Sequence, residues 1–206
     1  MKKIAITQRI IQNETFPEIR DALDIRWAQL FSKLNILPVI IPNYYDPEVF
    51  LTEINVQGVI LSGGNDLFTI SNDEISKVRD TTEQKIINYC SKNNIPLLGI
   101  CRGMQLLGHT FGGQLKKSDK HVGTHHQIKI NNSSRFANEL SELGTVNSYH
   151  NWCIEKIPSD FVASAFSEDG FCEAMEHKSK NIFAQMWHPE RETEFELQII
   201  KKIFNL

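Results

Sequence analysis

The stretch IPLLGICRGMQLLGHTFGG, residues 95–113, decides the fold. Its first six residues are a short, nearly all-apolar run, which fits a strand covered on both faces. From Arg102 onward the apolar spacing becomes helical, so Cys101 stands on the corner between strand and helix, with Gly99 two residues before it and Gly103 two after. This is the pattern of a nucleophile elbow with cysteine in the serine position. A tight turn strains the central residue, and side chains at the flanking positions collide with neighbouring backbone. The positive end of the helix stabilises a thiolate, the attacking form of cysteine. The same turn aims the Arg102 N–H at the place where a tetrahedral intermediate carries negative charge. A buried cysteine packed between glycines is the plainer reading, but it leaves the strand-corner-helix context unexplained. Cys90, Cys153 and Cys172 lack flanking glycines and read as structural.

A thiol nucleophile needs an imidazole to take and return its proton, and a third group to hold that imidazole. Downstream, the segment MWHPE supplies both. Pro189 pushes His188 into an extended conformation, where residues i and i+2 share a side, so Glu190 reaches the ring nitrogen that His188 does not use on Cys101. Upstream, VQGVILSGGNDL ends in a Gly63–Gly64 turn able to expose backbone N–H groups; alone, such a pair is usually only a turn.

Further from the elbow, residues 3–8, 36–41 and 56–62 are three more β-branched apolar runs, separated by helical patterns over 17–34, 46–54 and 72–93. Strand-helix alternation predicts an α/β three-layer sandwich, a central mostly parallel sheet with helices on both sides. After Gly113, runs such as HHQIKI, TVNSYH, FVASAF and NIFAQMW, divided by turn signals, predict added antiparallel pairs, and a last helix is expected over about 192–204.

The chain of 206 residues suits a single domain spanning 1–206. A net charge of -3 with ordinary charged content gives no footprint for nucleic acid or an anionic membrane, and a small molecule is the expected partner. No apolar run approaches membrane-spanning length, and the N-terminus has too short an apolar stretch for a signal peptide. The expectation is therefore a cytoplasmic protein whose four cysteines stay reduced, and without a CxxC spacing no structural zinc is expected.

The segments ITQR, LPVIIPN, LSGGND, VRDTTE, GICRGMQLL, VNSYH, SEDGFCEAMEH and QMWHPE, in this order over residues 4 to about 191, resemble the class I glutamine amidotransferase-like superfamily, and within it the γ-glutamyl hydrolase-like branch, peptidase C26. The resemblance implies a flavodoxin-like fold, a glutamyl thioester on Cys101, and neither metal nor organic cofactor. It further implies oxyanion donors at Gly64, helped by Gly63, opposite the Arg102 N–H. Gln105 would hold the glutamyl moiety, with Asn65 and His150 as further substrate-side positions, although VNSYH also reads as an ordinary strand with a capping histidine.

The segment LKKSDKHVGTHH departs from the family pattern in its lysines and histidines. With Arg9, at the carboxyl end of the first strand, Lys116, Lys117, Lys120 and His121 are expected to meet a phosphate-bearing leaving group, unless the loop is simply solvated. The implied reaction is hydrolysis of a γ-glutamyl amide to glutamate and an amine or amidate. A glutaminase subunit delivering ammonia to a synthase partner shares every catalytic residue and stays open, as does a homodimer. A silent binding module has no use for an intact Cys101, His188 and Glu190.

Overall fold

The computed structural model describes residues 1–192 and 197–206. Its first half runs β1 (Lys2–Ile6), β2 (Arg9–Gln12), β3 (Ile19–Ala22), α1 (Arg26–Lys33), β4 (Ile36–Ile40), α2 (Pro47–Ile54), β5 (Gly58–Leu61), α3 (Phe68–Ser71), α4 (Glu74–Asn93), β6 (Leu97–Ile100) and α5 (Arg102–Thr110). The second half continues with β7 (Gln114–Lys117), β8 (Val122–His126), β9 (Lys129–Ile130), α6 (Ala137–Ser141), β10 (Val146–Tyr149), β11 (Trp152–Lys156), β12 (Phe161–Phe166), β13 (Cys172–His177), β14 (Ile182–Gln185) and α7 (Gln198–Phe204).

The central sheet has the order β4-β1-β5-β6-β14-β13-β11-β7. Pairings from β4 to β14 are parallel, and those from β14 to β7 are antiparallel. The apolar runs alternate between two cores because successive side chains in a strand point to opposite faces. Ile4, Ile6, Ile60, Leu98 and Ile100 pack with α1, α6 and α7, whereas Ala5, Val59, Leu61 and Leu97 pack with α2, α4 and α5. The fold is thus the expected α/β sandwich. Parallel strands end together at one edge, and that edge carries Cys101 after β6 and the turn 62–65 after β5.

Two element boundaries depart from expectation. The helix expected over 17–34 begins only at Arg26, and the preceding residues form the β2–β3 hairpin. Asn13 turns the chain by accepting the Thr15 N–H on its side chain, and Asn65 clamps Ile10 through both its backbone groups at 2.9 Å. Ile19 stays 52% exposed, so the apolar period that suggested helix there faces no core. The expected start of the last helix falls partly on 193–196, outside the described residues.

Candidate active site

Cys101 sits at the junction of β6 and α5 with φ 51° and ψ −105°. A residue other than glycine held there carries strain of order 1–3 kcal/mol. The strain is imposed locally. A Cβ on Gly103 would lie 2.3 Å from the Leu61 carbonyl oxygen, so the first turn of α5 presses on β5 and only glycine fits.

The imidazole of His188 follows β14. Its Nδ1 lies 2.8 Å from Glu190 Oε1, and its Nε2 edge lies with the Cys101 side chain beneath Gly63. His188 is extended as expected, but Glu190 reaches it from a 3-10 turn, Pro189–Arg191, and not along an extended chain. All three residues are buried. Burial by itself would raise the thiol and depress the imidazole. The attraction between them wins, holding Cys101 below an ordinary thiol and raising His188 to about 9, with Glu190 adding to the rise. Both shifts favour the thiolate-imidazolium form of the pair.

The turn 62–65 crosses directly over this pair. A Cβ on Gly63 would lie 2.6 Å from His188 Cε1. Arg79 of α4, wholly buried, donates to the carbonyls of Ser62 at 2.7 Å, Gly63 at 3.2 Å and Gly64. In a trans peptide, C=O and the following N–H point opposite ways. Drawing the Ser62 and Gly63 carbonyls onto Arg79 therefore turns the N–H groups of Gly63 and Gly64 away from it. Arg79 is held in turn by Glu83 at 3.0 Å, and Glu83 and Asp80 both accept from Arg102. The Arg102 side chain thus braces the helix while its N–H remains at the elbow.

Two adjoining cavities, of about 250 and 320 Å³, meet at His188, Arg9 and Arg191. The larger contains Cys101, Gly64, Asn65, Gln105, Tyr149 and His150, so the structure brings nearly all expected site residues to one cleft. Several play parts the sequence did not suggest. Gln105 donates its amide to the Trp152 carbonyl at 2.8 Å. Both amide atoms of Asn65 are taken by Ile10, so it serves as a clamp. Arg9 opens β2 instead of ending β1, and its guanidinium lies against Gly64. The expected basic loop is corrected: Lys116, Lys117 and Lys120 line neither cavity, Lys116 pairs with Glu155 at 2.6 Å, and His121 is buried.

Sequence reasoning missed Arg79, Asn147 and Arg191. Asn147 holds the His188 backbone at both ends, accepting its N–H at 3.0 Å and donating to its carbonyl at 2.8 Å. Arg191 stacks over the Tyr149 ring at 4.8 Å and lines both cavities. VRDTTE and VNSYH were the available signals for the first two, but neither motif shows by itself which partner its polar residues reach.

A strained cysteine on an elbow, an imidazole held by a carboxylate and a glycine turn above them define a cysteine-nucleophile hydrolase site. The profile of the peptidase C26 family matches residues 4–190, and the chain belongs to this family. It is 39% identical over 207 residues to the γ-glutamyl-CDP-amidate hydrolase of Campylobacter jejuni subsp. jejuni serotype O:2, covering 98% of each chain. It is also 32% identical to anthranilate synthase component 2 of Cyanophora paradoxa, over 90% of this chain and 94% of that one. Among solved structures, a provisionally assigned GMP synthase component from Thermoplasma acidophilum superposes with a TM-score of 0.74 at 24% identity, covering 100% of this chain and 93% of that one. A glutamine amidotransferase from Thermotoga maritima superposes with a TM-score of 0.69 at 15% identity, covering 99% of this chain and 82% of that one, which places the fold among glutamine amidotransferases.

Proposed function

We propose that the chain hydrolyses a γ-glutamyl amide through a thioester on Cys101, and that its substrate is γ-glutamyl-CDP-amidate. The observation that carries the chemistry is the buried line of thiol, imidazole and carboxylate beneath the turn 62–65. The thiolate attacks the γ-carbonyl carbon, and the N–H groups of Gly63, Gly64 and Arg102 receive the oxyanion. His188 gives its proton to the leaving nitrogen as the C–N bond breaks, releasing the amidate. It then takes a proton from water, which attacks the thioester; the C–S bond breaks, glutamate leaves, and the thiolate-imidazolium pair is restored.

The glutamyl moiety fits the cavity containing Gln105, and the leaving group extends towards Arg9 and Arg191, where the two cavities meet. Two guanidiniums at that junction suit a pyrophosphate, and the full-length similarity to the Campylobacter jejuni enzyme supports the cytidylyl leaving group. None of the four cysteines is in a disulfide, as suits a reducing cytoplasm, and no helix among the described residues is long and apolar enough to cross a membrane.

The test is mass spectrometry of products after incubating the pure protein with γ-glutamyl-CDP-amidate, glutamine and a neutral γ-glutamyl amine in parallel. Glutamate and cytidine diphosphoramidate should appear from the first at far higher kcat/KM. Equal turnover of glutamine would overturn the nucleotide assignment. Activity only after a synthase partner is added would favour the ammonia-delivering role instead.

A further inference from the structure

Beside the catalytic cleft lies a second cluster of chemistry-bearing side chains. His121 precedes β8, His126 ends it, His150 follows β10 and Glu173 lies on β13. One ligand atom from each of the four lies within 4.8 Å of the others. Glu173 Oε1 is 3.4 Å from His121 Nδ1 and 3.8 Å from His126 Nε2, while Glu173 Oε2 is 3.7 Å from His150 Nε2. His121, His150 and Glu173 are at most 3% exposed. His121 Nδ1, His126 Nε2, His150 Nε2 and Glu173 Oε1 are all buried without a hydrogen-bond partner among the described residues. Each such orphan costs about 1–3 kcal/mol, so four converging on one point demand a common partner.

The opposite ring nitrogens identify that partner. His121 Nε2 faces Asp169 Oδ2 at 3.3 Å, and His126 Nδ1 faces the Gln127 carbonyl at 3.2 Å. A carboxylate and a carbonyl only accept, so those nitrogens carry the protons and the inward ones present lone pairs. Asp169 is itself fixed by a hydrogen bond from Ser167 at 2.6 Å. His150 Nδ1 is occupied on its outer side by the Cys153 thiol at 3.7 Å. Imidazoles oriented from behind by a carboxylate or a carbonyl are how metal-ligating histidines are held.

We propose that His121, His126, His150 and Glu173 bind one zinc ion as a closed structural site. Three imidazoles and a carboxylate suit zinc, and a tetrahedral ion about 2.0–2.1 Å from each ligand spaces them about 3.3 Å apart, close to the contacts to Glu173. Four protein ligands leave no open position, so the ion holds structure and performs no hydrolysis. It fastens the two-stranded β8/β10 sheet to the central sheet at β13, and β10 carries Asn147, which grips the His188 backbone. His150 then contributes to the cleft wall as a metal ligand. The ligands span residues 121–173 with no cysteine among them, so no CxxC spacing marks the site in the sequence. This inference is independent of the substrate assignment.

The experiment uses the full chain carrying Cys101→Ala, so that the catalytic thiolate cannot take up metal. After chelator treatment, zinc is titrated against a colorimetric chelator and bound metal is measured by elemental mass spectrometry, with Tm followed in parallel. One equivalent of zinc and a metal-dependent rise in Tm are expected. Cobalt should give the visible bands of a tetrahedral site without near-ultraviolet thiolate charge transfer. Adding His126→Ala, at the most exposed of the four positions, should abolish both metal uptake and the Tm response, and Asp169→Asn should weaken affinity about 10–100-fold. Failure to retain stoichiometric zinc would mean that a proton on one imidazole fills the cluster, overturning the proposal. Unchanged uptake in the His126→Ala variant, or a thiolate charge-transfer band, would overturn the ligand set.

Discussion

The corner at Cys101 and the turn 62–65 meet over the same reacting centre, yet they are shaped by different means. Gly103, two residues from Cys101, lets α5 press against β5, and the strained φ of 51° follows from contacts within the elbow and its neighbouring strand. The turn 62–65 contains two glycines, but its orientation is imposed by Arg79, which belongs to α4 and takes three successive carbonyls. A nucleophile placed by local sequence survives with any scaffold that supplies the elbow. The groups proposed to receive negative charge depend here on one buried guanidinium and on the carboxylate-arginine network that holds it.

The largest effect should come from the elbow side. Cys101→Ala should cut turnover by on the order of 10⁴-fold or more while leaving the fold intact, because nucleophile and base act as a unit. The same change should lower the pKa of His188, measurable by NMR. Burial already pushes the imidazole down, and the thiolate is the strongest influence raising it to about 9, with Glu190 the remaining one. The sign for stability follows. In the wild type His188 is raised above 6.5, so its contribution is complete below that pH and is lost as pH rises through about 9; without the thiolate the contribution should be smaller and should be exhausted at a lower pH. Retained turnover in Cys101→Ala would remove the elbow from the mechanism.

The turn side should fail differently. Arg79→Met breaks a buried ion pair with Glu83 and strips the carbonyls of Ser62 and Gly63 of their donor, so a loss of about 3–5 kcal/mol in urea unfolding is expected. In the surviving folded fraction kcat should drop about 10²–10³-fold, as for loss of an oxyanion donor, with KM little changed. Arg79→Lys keeps a charge but not the planar fork and should remain slow. A folded Arg79→Met protein with normal kcat would separate the brace from catalysis. Gly103→Ala comes next, at about 1–3 kcal/mol, because the added methyl meets the Leu61 backbone and the helix must shift.

This contrast also sets what the sequence could reveal. Parallel strands buried on both faces announce themselves as apolar runs, and the meeting of Cys101, His188 and Glu190 rests on two short motifs, so both arrangements were legible. The hairpin in place of a helix over 17–25 was not, because its turn is made by Asn13 and its clamp by Asn65, more than fifty residues from Ile10. Arg79, Asp80 and Glu83 fall within the helical pattern over 72–93, and nothing in that pattern shows that the turn 62–65 and Arg102 of α5 come to meet and bury them. Polar residues whose partners are distant in sequence carry no local signature, and that describes the brace, the Asn147 clamp and the histidine cluster alike.

The smallest effect concerns what lies beyond both turns. Arg9 rests on Gly64 and lines both the cavity holding Cys101 and the neighbouring one, the junction proposed for the leaving group. Being exposed, its charge is screened, and a single contact to phosphate should be worth roughly tenfold in affinity. Arg9→Ala should therefore raise KM for γ-glutamyl-CDP-amidate about tenfold with kcat nearly unchanged, and the difference should shrink as ionic strength rises. A neutral γ-glutamyl amide should be hydrolysed by the variant as by the wild type. Should both substrates suffer equally, the guanidinium would be acting through the turn at Gly64, and Arg9 would join Arg79 as part of the scaffold.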